Sequence, residues 1–457
     1  MLRVAVIGSG PSGVYTAQSL IEQQAVPDIE VYVLDRLPCP YGLVRYGVAP
    51  DHEKIKSLQN NLRMVLEHPG VHFLGNVEAG APGLGVEELR EIFDAVVFCV
   101  GAATDRHLGI PGEELPGSHP ATEFVAWYSA HPDAAAVRFT LAARSAVVIG
   151  VGNVAVDVVR MLSRGAAELA ATDMPQGPLG ALADSRVEDV WMVGRRGPSQ
   201  AKFTTKELRE LGSLPDTEVC VRPEELALDP AYRDPGELPA VARRNVAVLR
   251  GWAESTAAGP AEAGSGARAG RRIHLRFFLR PAEVLGDASG VRAVRFERTV
   301  PDGRGGVTGT GEFEEIQGQL VLRSVGYRGT PQPGLPFDEA TGTVPHLAGR
   351  VLRDGTPLPG VYVAGWIKRG PTGVIGTNRP CAKETASSLL ADAPMLAERH
   401  TAGDPVAALA RAGQRPVPWP GWLAIEAAEA AWGHGLGRGT VKLPDWAGLL
   451  AAADANG

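Results

Sequence analysis

One pattern occurs twice in this chain and limits its fold more than any other: a short apolar strand, a glycine-rich turn and a helix. The first copy runs from Leu2–Ile7 into Gly8-Ser9-Gly10-Pro11-Ser12-Gly13 and a helical stretch from Val14 to about Gln24. The second runs from Val147-Val148-Ile149 into Gly150-Val151-Gly152-Asn153-Val154-Ala155 and a helix ending near Leu162. Strands that are apolar at nearly every position are buried on both faces, as in a parallel sheet. The first glycine (Gly8, Gly150) lets the chain turn tightly. The second (Gly10, Gly152) lets a pyrophosphate approach the backbone, and the third position (Gly13, Ala155) sets how closely helix packs on strand. The helix start then turns its free N–H groups and positive dipole end toward phosphate.

The two copies differ at the end of the strand after the helix. In the first, the strand Glu30–Leu34 ends in Asp35, an acid placed to take ribose hydroxyls. That suits FAD or NAD, and a turn so early in the chain favours FAD as the resident cofactor. In the second, the strand Asp189–Val193 ends in Gly194-Arg195-Arg196. A guanidinium pair matches a 2′-phosphate in charge and fork geometry, which favours NADP over NAD. The bland alternative is a solvated surface pair. Residues 163–188, rich in Ala, Gly and Pro, read as an insertion between helix and strand.

Composition narrows the class. The chain has 457 residues, 44% apolar and 21% charged, with a formal charge of −7. So much apolar surface excludes wholesale disorder. The negative field argues against nucleic acid as the main partner. Cys39, Cys99, Cys220 and Cys381 are scattered, with no C-x-x-C pair and no zinc spacing. No targeting segment or membrane span is evident, and a cytoplasmic location is expected. Near the C-terminus, the strand Gly360–Ala364 leads into Gly365 through Asn378 and a helix from Arg379 to about Leu390. Two similar strands, Ala95–Ala102 and Leu320–Tyr327, are natural crossover points between domains. Residues 254–271 read as a flexible surface excursion. Ile273–Phe278 and Val294–Phe296 read as antiparallel strands of a small meander.

These segments together resemble the adrenodoxin reductase-type ferredoxin–NADP+ reductases, bacterial and actinobacterial-like members in particular. The resemblance spans essentially the whole chain. It rests on GSGPSG at 8–13, PYGLVRYGVAPDH at 40–52, GNVAVD at 152–157, GRRGP at 194–198, FTTKELREL at 203–211, RSVGYRG at 323–329 and GWIKRGPTGVIGTN at 365–378. It implies an α/β fold of two Rossmann-like dinucleotide-binding domains, glutathione reductase-like, with the FAD domain split by an inserted NADP domain. The boundaries expected are 1–105 and 326–457 for the FAD domain and its tail, and 106–325 for the NADP domain. It implies FAD contacts at Ser12, Asp35, Leu43, Ala79, Trp366, Gly373, Val374 and Ile375. It implies NADP contacts at Arg106, Gly152, Asn153, Val154, Arg195, Arg196 and Glu207, with Gly373 near the nicotinamide.

The activity implied is hydride transfer from NADPH to FAD, then single-electron transfer to an iron–sulfur ferredoxin, which could supply a cytochrome P450 system. His52 and Glu210 match a pair that the family places near the flavin. They would act either as a proton relay or as structural anchors. Arg243, Arg244 and Arg250 match the ferredoxin-docking segment, and the seven-residue spacing of Arg243 and Arg250 puts them on one helix face. Ordinary solvated arginines are the alternative. Competing readings are a disulfide reductase, which needs a cysteine pair; a reductase subunit serving another acceptor; and a non-catalytic NADPH-binding flavoprotein.

Overall fold

The strand Leu2–Ile7 lies at the centre of an eight-stranded sheet. It pairs in parallel with Ile29–Leu34 on one side and Ala95–Phe98 on the other. Val71–Gly75 extends one flank in parallel, and Thr356–Val363 the other. The short strands Arg350–Arg353 and His346–Leu347 close one edge and Val417–Pro418 the other, all antiparallel. Alternate residues serve opposite faces. Val4, Val6, Val31 and Val33 face one core with the helices Pro11–Ile21 and Asn378–Ala397. Ala5, Ile7 and Leu34 face a second core.

The computed structural model describes residues 1–257, 270–397 and 403–455, and divides the chain into two compact units. The first comprises 1–104, 129–135 and 326–457, and the second comprises 105–128 and 136–325. The short segment 129–135 falls with the first unit because its side chains are used there. Asp133 pairs with Arg36 at 2.6 Å and accepts from Trp446 Nε1 at 2.9 Å.

The second unit holds a six-stranded parallel sheet. Its order is Ser118–Pro120, Leu320–Arg323, Ser145–Ile149, Asp189–Val193, Arg271–Arg276, Thr217–Val221. A separate antiparallel sheet contains Leu279–Asp287, Gly290–Pro301 and Val307–Gln317. Val294–Phe296 lies in that meander as expected, but Ile273–Phe278 does not. Arg271–Arg276 is an inner strand of the parallel sheet. Its alternation misleads because its polar face is satisfied inside the sheet. Arg272 Nη2 and His274 Nε2 both reach Asp189, at 2.8 and 2.7 Å, and Trp191 stacks on His274 at 3.9 Å.

Residues 163–188 carry two short helices, Ala166–Leu169 and Gln176–Ala183. Most of the excursion expected at 254–271 lies outside the described residues. Among those described, no helix is long and apolar enough to cross a membrane.

Candidate functional site

In the first unit, the turn after Leu2–Ile7 is built as the glycine pattern demands. Gly8 has φ +106°, and a Cβ there would stand 2.7 Å from Cys99 O. A Cβ on Gly13 would overlap Gly8 O and press Val6 Cγ1 at 3.2 Å, so helix and strand touch backbone to backbone. Gly10 differs: its Cβ direction meets nothing nearer than 3.8 Å. It is the N-cap of Pro11–Ile21 and has no side-chain cap, so the first-turn N–H groups face an open cradle. The helix begins at Pro11, earlier than Val14, because proline's fixed φ suits a first helical position. That cradle fits a pyrophosphate.

Asp35 has a second task in addition to the one its position suggests. Its Oδ2 accepts from Ser9 N–H at 2.7 Å and Ser9 Oγ at 2.6 Å, and its Oδ1 accepts from Leu37 N–H at 2.9 Å. Burial pushes its carboxyl above the usual carboxylate range, and the Ser9 donors oppose that shift. Asp35 therefore also pins the glycine turn, and of its roughly four acceptor sites one is left for a ribose. Gly42, at φ +50°, packs against Gly10, so the short helix Leu43–Tyr46 starts beside the cradle. Leu43 is 44% exposed there. Ala79 is half-buried against the second core.

The C-terminal glycine segment completes this unit's site. A Cβ on Gly365 would overlap Ser12 Oγ, so the segment lies directly on the first turn of Pro11–Ile21. Trp366 is half-buried and leans on Tyr327, with ring centroids 5.4 Å apart. Gly373 and Val374 are exposed, and Ile375 opens a single 3₁₀ turn into the helix Asn378–Ala397. His52 is buried at the start of the helix Glu53–Lys56.

The second unit repeats the turn. Gly150 has φ +139°, and a Cβ there would overlap Ser324 O. A Cβ on Gly152, the N-cap of Asn153–Ser163, would meet no atom within 4 Å, so this cradle is open too. Asn153 Oδ1 accepts from Thr204 N–H at 2.8 Å, tying the turn to the helix Thr205–Leu211. Val154 is half-buried on the first turn and Ala155 is fully buried. Arg195 is exposed and Arg196 half-buried at the end of Asp189–Val193. Neither forms an ion pair among the described residues, whereas nearby Arg276 and Arg298 both pair with Glu314. Two unpaired guanidinium groups at a strand end are what a 2′-phosphate requires. Arg106 is exposed in this unit.

One neighbour of Glu207 and Glu210 has almost no signal in the sequence. Arg160 is completely buried and binds Asp157 at 2.8 Å, Glu210 at 3.0 Å and Glu207 at 3.6 Å. Its only signal is an arginine three residues after Asp157 on an apolar helix. Arg250 also departs from expectation. Its Nη2 donates to Tyr232 O at 2.7 Å and its guanidinium covers the Tyr232 ring at 4.8 Å. Of the three expected docking arginines, Arg243 and Arg244 are exposed and Arg250 is engaged locally.

All four cysteines are free, and three of them are buried. Burial pushes Cys39 and Cys220 up to about 11 and Cys99 up to about 12. Burial at these three positions disfavours the thiolate that disulfide exchange needs.

Comparison with known proteins agrees with this geometry. The model of the pyridine nucleotide-disulphide oxidoreductase family matches residues 2–192. The chain is 44% identical to NADPH-ferredoxin reductase FprA of Mycobacterium tuberculosis, over 98% of each chain. It is 41% identical to the human mitochondrial NADPH:adrenodoxin oxidoreductase, over 97% of this chain and 90% of that one. The solved structure of Mycobacterium tuberculosis FprA in complex with NADPH superposes with a TM-score of 0.90 over 99% of each chain, at 42% identity.

Proposed function

This chain belongs to the family of NADPH–ferredoxin and NADPH:adrenodoxin reductases, and from that premise we propose how its own residues divide the work. It is an oxidoreductase that moves electrons from NADPH, through FAD, to an iron–sulfur protein of the ferredoxin type. FAD, when bound, supplies the step from a two-electron donor to a one-electron acceptor. One observation carries the reading: an acid-ended and an arginine-ended glycine turn occur in one chain whose four cysteines include no C-x-x-C pair.

The FAD domain comprises 1–105 and 326–457, with 106–325 as the NADP domain. Gly8, Gly10, Ser12 and Gly13 hold the FAD pyrophosphate and Asp35 the ribose. Leu43, Ala79, Trp366, Gly373, Val374 and Ile375 line the rest of the cofactor. Gly150, Gly152, Asn153 and Val154 hold the NADPH pyrophosphate, with Arg106 and Glu207 beside it. Arg195 and Arg196 take the 2′-phosphate. A cytoplasmic setting fits this chemistry.

Replacing both arginines by Ala removes two charge-assisted contacts, each worth about 1.5–3 kcal/mol. In a ferredoxin-coupled cytochrome c assay, KM for NADPH should rise at least tenfold while NADH turnover stays unchanged. Wild-type protein that used NADH as efficiently as NADPH would overturn the assignment.

Arg160 holds Glu210 as an oriented carboxylate, so His52 is the group that tests the relay. With a relay, stopped-flow reduction of His52→Gln by NADPH slows and loses a pH inflection. An unchanged rate and profile would make both residues structural.

The acceptor is acidic, so on a net-negative chain it docks through local basic charge. Reversing Arg243 and Arg244 to Glu should raise KM for ferredoxin and flatten its salt dependence. Reduction of a small dye should not change. Equal loss with both acceptors would refute the docking role.

A further inference from the structure

We propose that Arg369 binds the flavin and favours its reduced form. The inference rests on the FAD reading above and deepens it. Arg369 closes the short helix Trp366–Arg369, and its Nη2 donates to Asn378 Oδ1 at 3.1 Å. Its Nε and Nη1 are buried and find no hydrogen-bond partner among the described residues. Nor does it form an ion pair among them. The adjacent Lys368 is fully engaged, reaching Glu384 at 2.5 Å and Thr385 Oγ1 at 3.0 Å. Buried donors in native proteins are almost always paired, and charged ones all the more so. These N–H groups therefore call for an acceptor that the chain does not supply.

Their position says what kind of acceptor. Asn378, the partner of Nη2, opens the twenty-residue helix Asn378–Ala397. A Cβ on Gly365 would meet both Ser12 Oγ and, at 3.8 Å, Asn378 Oδ1. Ser12 lies on the first turn of Pro11–Ile21. The guanidinium thus belongs to a cluster where the N-terminal turns of two long helices converge, and both dipoles add positive potential. An anion is required there.

The pyrophosphate already has the N–H groups of the Gly10–Gly13 turn. The remaining negative charge is the one that reduction creates. A hydride from NADPH carries two electrons and one proton to the ring, and NADPH departs as NADP+. The ring system therefore gains one negative charge. A guanidinium held by Asn378 Oδ1, with its Nε and Nη1 buried, favours that charge without having to reorganise.

The test uses wild-type, Arg369→Gln and Arg369→Lys holoprotein. Two quantities are measured: the two-electron potential of bound FAD by dye-equilibrated titration, and the affinity for oxidised FAD by fluorescence. In Arg369→Gln the preference for reduced over oxidised FAD should fall about tenfold, a shift of about 30 mV toward negative potential. Affinity for oxidised FAD should stay within about threefold, on the same scale of free energy. Arg369→Lys should recover part of the shift.

An unchanged potential in Arg369→Gln would overturn the proposal. So would a loss of oxidised-FAD affinity at constant potential, which would place Arg369 on the pyrophosphate or in packing. A wild-type measurement stands if the variants do not accumulate. The spectrum of the reduced protein should stay that of the anionic ring down to about pH 5, and protonation near neutrality would overturn the proposal. Wild-type protein that bound no flavin at all would instead overturn the FAD reading itself.

Discussion

Gly13→Ala should purify without flavin and melt well below the wild type. The added methyl has nowhere to go. It would overlap the carbonyl oxygen of Gly8, with Val6 Cγ1 behind it at 3.2 Å. A flexible side chain could swing away, but a backbone carbonyl inside a strained turn can do so only if the turn opens. Overpacking a core costs about 1–3 kcal/mol, and a clash with backbone lies at the upper end. Opening the turn also misplaces the N–H groups of its cradle, so FAD affinity falls with stability. Gly152→Ala provides the contrast, because its Cβ would meet nothing within 4 Å. It should fold and keep its flavin, and its KM for NADPH should rise because the methyl occupies space meant for a phosphate. Visible absorbance per mole of protein, thermal melting and NADPH kinetics separate the two. A yellow Gly13→Ala protein that melts with the wild type would contradict the packing described.

The second large effect should come from a buried ion pair. Arg45, on the helix that begins with Leu43, reaches Glu429 at 2.6 Å, and both side chains are almost completely buried. Trp422 and Tyr46 flank the guanidinium, at 5.0 and 4.9 Å. Lys442 Nζ donates to Arg45 O at 2.7 Å, and Leu443 N–H donates to Glu429 Oε1 at 2.8 Å. Burial opposes charge on Arg45, but Glu429 holds its pKa well above the usual value. Glu429→Gln leaves that cation buried without its counter-ion, at a cost of about 3–5 kcal/mol. The double change Arg45→Met with Glu429→Leu should recover much of this, since apolar pairs of similar volume replace buried ion pairs well. Urea unfolding followed by flavin fluorescence reads the unit that contains the pair. Additive single and double effects would mean that the two residues do not act together.

The legible and illegible parts of this molecule differ in range. The glycine turns could be read because their strain is local: Gly8 and Gly150 need positive φ whatever the rest of the chain does. The arginine pair could be read because it directly follows its strand. Asp35 was read for one task only, because its bond to Ser9 spans 26 residues. Arg271–Arg276 reads like a meander strand because its polar face is satisfied by Asp189, and alternation cannot distinguish a solvent-facing residue from a paired one. Arg160 shows locally only as an arginine three residues after Asp157, and Arg369 and the Arg45–Glu429 pair, 384 residues apart, carry no local signature. Arg250 resembles its neighbour Arg243 in sequence, and only the fold puts Tyr232 beneath it.

The interleaving of the two units also sets an order of events at the ribosome. The second unit is drawn from residues 105–325, apart from one short segment. All of its strands have been made once Arg323 has emerged. The first unit must wait, because among the described residues Thr356–Val363 is the strand that pairs with Ala95–Phe98 on that flank of its sheet. Glu429 and Lys442 come later still. The nascent chain therefore carries residues 1–104 as an incomplete sheet, with one edge of Ala95–Phe98 unpaired, while the later-made unit finishes folding. Domains usually mature from the N-terminus. Here the earlier-made segment is completed after the later-made unit, and an exposed strand edge of this kind is a hazard during synthesis that the finished enzyme no longer shows.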